Sequence, residues 1–81
     1  METKIALIGI IVEDHDAVES VNLLLHDYAA YIVGRMGIPY REKNVSVISV
    51  VIDAPQTVVS TLSGRLGMVK GISVKTVNTK M

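Results

Sequence analysis

The chain contains no cysteine. That excludes a disulfide, a thiolate metal site and a cysteine nucleophile, and it suits a reducing compartment. An excess of either charge is also lacking, because eight Lys and Arg balance eight Asp and Glu. The basic stripe of a nucleic-acid binder is therefore absent, and no direct nucleic-acid partner is expected. Hydrophobic residues make up 49% of the chain, yet no apolar run approaches the length of a membrane span, which takes about 20 residues. Met1-Glu2-Thr3-Lys4 ahead of Ile5–Val12 is too acidic, and the run too short, for a secretory signal. A cytoplasmic location without a membrane partner follows as an expectation.

What is present fits a single domain spanning residues 1–81. Its most apolar stretch is Val45–Asp53, rich in β-branched residues and flanked by Arg41-Glu42-Lys43-Asn44 and Ala54-Pro55. It reads as a strand, with Ile48, Val50 and Ile52 on one face and Val45, Val47 and Val51 on the other. A strand apolar on both faces belongs in the middle of a sheet. Lys4–Val12 is a second such strand, with Ala6, Ile8, Ile10 and Val12 opposed to Ile5, Leu7, Gly9 and Ile11.

Ala17, Val18, Val21, Leu24, Leu25 and Tyr28 recur at helical spacing, which predicts a helix over Asp14–Asp27. Asp16 with Glu19 can form its capping box, and Asp14 is a rival cap. Tyr31–Tyr40 carries Gly34, Gly37 and Pro39 and reads as an edge strand, with Ile32, Met36 and Ile38 alternating with Val33 and Arg35. Val58, Val59, Leu62 and Leu66 predict a second helix over Ala54–Leu66, capped by Asp53 and stopped at Gly67. Gly71–Asn78 reads as the last strand.

The order strand, helix, strand, strand, helix, strand, with a weak echo between the halves at about forty residues, suits interleaved split βαβ units. The expected fold is α+β and ferredoxin-like, a four-stranded antiparallel sheet with both helices on one face. The other face would then present Leu7, Ile11, Val47 and Val51 to water, a patch that marks an interaction surface. A homo-oligomer, a dimer or a pair of dimers, is expected, built on that face or on the sheet edges.

Chemistry is sparse. His15 and His26 lie eleven residues apart, about 16 Å along a helix, so one chain cannot join them on one ion. Only a second subunit could complete such a site. Glu13, Asp14 and Asp16 read as capping carboxylates. Ser20, Ser60 and Ser63 lack the Gly-x-Ser-x-Gly elbow of a catalytic serine. No catalytic residue, metal site or cofactor is expected. Gly34-Arg35-Met36-Gly37 and Gly64-Arg65-Leu66-Gly67 read as packing and capping devices rather than as an RNA-gripping loop. The densest polar apparatus is Arg35, Tyr40, Arg41 and Lys43, and Arg35, Tyr40 and Arg41 are the expected ligand-binding residues, since guanidinium forks suit carboxylate or phosphate.

Val12-Glu13-Asp14, Val21-Asn22-Leu23-Leu24-Leu25-His26, Gly34–Glu42, Leu62-Ser63-Gly64-Arg65-Leu66-Gly67 and Val74-Lys75-Thr76-Val77 together resemble the family of iron-only hydrogenase system regulators. That family is similar to ACT domains and to the C-terminal domain of the nickel-responsive regulator. The resemblance implies an ACT-like ferredoxin fold and a non-catalytic regulatory module that binds a ligand or a partner protein. A hydrogenase maturation or regulatory protein is the partner it implies, and an accessory protein docking on a maturation enzyme is the alternative. The nickel regulator's set of several histidines and a cysteine is missing here, and so is the glycine at which ACT domains hold amino acids in the first strand–helix loop. The family's association is genomic and carries no catalytic residue to this chain.

Overall fold

The computed structural model describes residues 2–79. The elements are β1 (Lys4–Val12), α1 (Val18–Asp27), β2 (Ile32–Tyr40), β3 (Val45–Ala54), α2 (Gln56–Gly67) and β4 (Ile72–Asn78). Short 3-10 turns lie at His15–Ala17, Ala29–Tyr31 and Arg41–Lys43. The sheet is antiparallel throughout, in the order β2-β3-β1-β4. The two doubly apolar strands are therefore the central pair, and the fold is the ferredoxin-like α+β sandwich.

The core follows the alternation of those strands. Ala6, Ile8, Ile10 and Val12 of β1 and Ile48, Val50, Ile52 and Ala54 of β3 are buried on the helix side. Val21 and Leu25 of α1 and Val59, Leu62 and Leu66 of α2 close over them. At roughly 1.5–3 kcal/mol for each large side chain fully buried, this one layer supplies most of the drive for folding.

Several boundaries differ from the sequence expectation. Asp53 does not cap α2. Pro55 disfavours helical backbone in the residue before it, so Ala54 stays extended and pairs with Lys4, and the helix begins at Gln56. At the first helix Asp14 wins over Asp16, its Oδ1 accepting from the Asp16 amide at 2.9 Å, and a 3-10 turn precedes α1. The second helix runs through Gly67, whose φ is not positive. The left-handed glycine is Gly71, at φ 86°, just ahead of β4. There the Glu13 and Asp14 amides donate to the Gly71 carbonyl at 2.8 and 3.1 Å, and a Cβ would stand 2.5 Å from that of Asp14. Glycine alone allows both the conformation and the approach.

Candidate functional site

The face of the sheet away from the helices is apolar and uncovered. Its central rows are set by register: Leu7 opposite Val51, Gly9 opposite Ser49, Ile11 opposite Val47. On the flank, β2 adds Gly34, Met36 and Ile38 to those rows, and β4 adds Val77, Lys75 and Ser73. Leu7 is 44% exposed and Ile11 45%, whereas Ile8 and Ile10, their neighbours along the same strand, are at 0%. Val47 is exposed as well, and Val51 is half-buried. The four residues expected on this face therefore form one contiguous patch.

Met36, Ile38 and Ile5 extend it and were not among them. Even alternation would group Ile32 with Met36 and Ile38. A register shift between Ile32 and Gly34 breaks that grouping, turning Ile32 to the helix side and Met36 and Ile38 to the open side. Gly9 carries no side chain, so the patch has a shallow hollow of about 270 Å³ beside Ile11, Val47, Ser73 and Lys75.

On the other side of the sheet the helices cover β3, β1 and β4 but leave β2 exposed along nearly its whole length. The gap between α1 and β2 is a groove of about 320 Å³, lined by Asn22, Leu25, His26, Ala29, Ile32 and Arg35. Arg35 Nη2 donates to Asn22 Oδ1 at 2.9 Å across it. Arg65 with Asp27, at 3.9 Å, is the ion pair found among the described residues, so the Arg35 guanidinium has no carboxylate beside it there.

The three expected ligand residues do not meet at one point. Arg35 pairs with Val50 and faces the helices, whereas Tyr40 pairs with Val45 on the open side. They stand five positions apart along one strand, an odd offset, which alternation sends to opposite faces. The Tyr40 hydroxyl donates to Glu42 Oε2 at 3.1 Å, and Arg41 opens the turn that follows. That turn closes on Asn44, in the left-handed conformation at φ 55°.

The remaining polar groups serve structure. His15 Nε2 lies 2.8 Å from Asn44 Oδ1, tying the start of the first helical segment to the β2–β3 turn, while His26 lines the groove. Ser73 donates to Glu13 at 2.7 Å, and Asp14 is occupied as a cap. Among the described residues no three His, Asp or Glu side chains gather closely enough to hold a metal ion. Arg65 donates to the Tyr28 hydroxyl at 3.1 Å and lies over its ring, joining α2 to α1. That hydrogen bond, with the Asp27 carboxylate nearby, raises the guanidinium pKa above its ordinary value. Ser63 and Thr76 share a hydrogen bond at 2.8 Å between α2 and β4. The glycine pairs are not packing devices within the chain, because a Cβ at Gly34, Gly37, Gly64 or Gly67 would meet nothing within 4 Å. None of the described helices is long and apolar enough to cross a membrane.

Known proteins bear on this architecture at three levels. No curated protein matches the chain. Among solved structures, the uncharacterized protein TM1266 from Thermotoga maritima is 36% identical, with a TM-score of 0.92 over 98% of this chain and 100% of its own. A formyltetrahydrofolate deformylase from Pseudomonas putida superposes with a TM-score of 0.64 at 13% identity, over 90% of this chain but 28% of its own. An unknown protein from Galdieria sulphuraria gives 0.65 at 13% identity, over 99% and 47%. These last two share the fold alone. The family described as "Iron-only hydrogenase system regulator, putative", TM1266-like, matches residues 4–76, so the chain belongs to the TM1266-like family of iron-only hydrogenase system regulators.

Proposed function

We propose that this protein is a non-catalytic regulatory module of the iron–iron hydrogenase system, a homo-oligomer that works by reversible binding. The observation carrying this reading is the double role of β2. One side of that strand sends Arg35 into the α1–β2 groove, and the other sends Met36 and Ile38 onto the open apolar face. A small anion in the groove, a carboxylate or phosphate seated on Arg35 beside Asn22 and His26, would bear on the same strand that helps form the assembly surface. Occupancy and association are then linked, and each changes the other by the same factor. Tyr40 and Arg41, at the exposed end of the β2–β3 hairpin, are assigned to an acidic partner protein.

A thermal-shift panel of amino acids, nucleotides, inorganic phosphate and metal ions tests this. A ligand that binds only the native state raises its stability by about 2.7 kcal/mol at a hundredfold excess over Kd. The expected hit is an anion, lost in Arg35→Ala with the unliganded melting temperature unchanged. A blank panel, together with retention of a hydrogenase maturation enzyme that depends on Arg41, favours a scaffold without a ligand of its own. The exposed placement of Tyr40 and Arg41 is what keeps that second reading in view.

A further inference from the structure

The open face carries glycine where the chain itself does not require it. A Cβ at Gly34 would meet nothing within 4 Å, and one at Gly9 would meet only the Lys75 carbonyl, at 3.9 Å. Glycine weakens a strand and commonly marks the close approach of another group. In the same rows stand two large exposed side chains, Met36, 58% exposed, and Leu7, 44%. Met36 shares the row of Ser49 and Gly9, and Leu7 shares the row of Val51 and Gly34. In each row a large residue and a glycine sit symmetrically on either side of β3.

We propose that two copies of the chain pack open face to open face about a two-fold axis running along β3, each Met36 entering the second copy's Gly9 hollow and each Leu7 lying over its Gly34. This rests on the self-association proposed above and specifies its geometry. An axis in the plane between the sheets, parallel to β3, preserves position along the strands and exchanges β2 with β1. Met36 then meets Gly9, Leu7 meets Gly34, and Ile38 meets Ile11, while Val47, Ser49 and Val51 meet their own counterparts on the axis. β4 falls outside the overlap, which leaves both Val77 and the Lys75 ammonium at the rim.

The other simple axes fit worse. One along β1 stacks Gly9 on Gly9, leaves Met36 and Ile38 uncovered, and presses Lys75 against Ser49. One perpendicular to the strands, through the Gly9 row, sets Met36 against Met36 and again glycine against glycine. Only the β3 axis matches large to small in both rows. Aligned sheets pack about 10 Å apart with strands within about 30°, a separation that interdigitating side chains fill. The overlap removes on the order of 500 Å² per copy, about 1,000 Å² in all, where specific interfaces begin.

Because the natural chain has no cysteine, single introduced thiols report the axis cleanly. Ser49→Cys sits on the axis, and with sheets about 10 Å apart a bifunctional thiol reagent spanning about 5 Å should join two copies. Lys75→Cys lies four strand spacings from its counterpart, about 19 Å, and should stay unjoined. Gly9→Leu fills the hollow and should raise the dimer dissociation constant at least tenfold with the far-ultraviolet spectrum unchanged. The exchange Gly9→Met with Met36→Gly should restore association. A dimer that cross-links at position 75 and not at 49, or that ignores Gly9→Leu, or that the exchange fails to restore, overturns this arrangement and leaves self-association standing. A wild-type chain that scatters light as a monomer at micromolar concentration overturns both.

Discussion

The two faces of β1 and β3 are built from the same residue types and meet opposite fates. Ile8 and Ile10 point one way and are fully buried; Leu7 and Ile11 point the other way and are nearly half exposed. Nothing in the strands themselves distinguishes the two sets. The difference comes from the helices, which are two in number and both packed on one side. Apolar alternation on both faces therefore does not say which side the chain's own helices cover. The helix side is closed by residues that arrive within one folding event, whereas any cover for the open side depends on concentration. Stability on the first face and association on the second become separable measurements.

Placing a charge on each face separates them most strongly. Val50→Lys puts an ammonium in a site with 0% exposure and no partner for it. The uncompensated charge and overpacking should cost more than about 4 kcal/mol, a large part of the margin of so small a domain. Soluble folded protein should be lost, as circular dichroism would register. Val47→Lys, three residues earlier on the open side, keeps a water-exposed ammonium and should retain the native spectrum while losing association in light scattering. If Val47→Lys unfolds the chain as Val50→Lys does, the open face is part of the core.

A gentler contrast comes from adjacent residues of one strand. Ile8→Ala leaves a cavity beneath both helices and should cost about 2–5 kcal/mol, independent of protein concentration. Leu7→Ala removes a side chain already half in water. Its cost to the isolated chain should be on the order of 1 kcal/mol. Any further loss should appear only at concentrations where the wild type associates, which urea titrations at two concentrations would resolve. Equal costs for the two changes would show that the faces are equally covered.

The pattern of faces was legible from the sequence because it is local. Alternation in β1 and β3 and helical spacing in α1 and α2 placed the core residues on their correct sides. The parts that escaped depend on long-range pairing or on backbone detail. The shift at Val33 decides which side Met36 and Ile38 take, and no local rule announces it. Pro55 did announce the late start of α2, through its effect on Ala54, but the reading of Asp53 as its cap pointed the other way. Arg35, Tyr40 and Arg41 look like one cluster when read in one dimension. Strand alternation divides them, and the partner that Arg35 finds, Asn22, lies thirteen residues away on α1. A site assembled across elements is fixed by register, which crowding of charges in sequence does not report.

The smallest expected effect is also the sharpest probe of the comparison, because it uses one substitution on the two sides of one strand. Gly34 faces the open side of β2 and Gly37 the helix side, and a Cβ would meet nothing within 4 Å at either. Neither has the positive φ that would make alanine strained. Replacing glycine by alanine in a strand lowers the entropy of the unfolded chain, so each change should stabilise the single chain by about 0.5–1 kcal/mol. Gly37→Ala should show that gain at every concentration, since it borders the α1–β2 groove and not the assembly face. Gly34→Ala should show it only in dilute solution. At concentrations where the chain associates, the added methyl group meets the Leu7 that the second copy brings to that point, and the gain should shrink or reverse. Parallel thermal melts of the two variants at low and high concentration read this directly. Identical gains at both concentrations would mean that nothing approaches Gly34, and the two sides of β2 would then be equivalent.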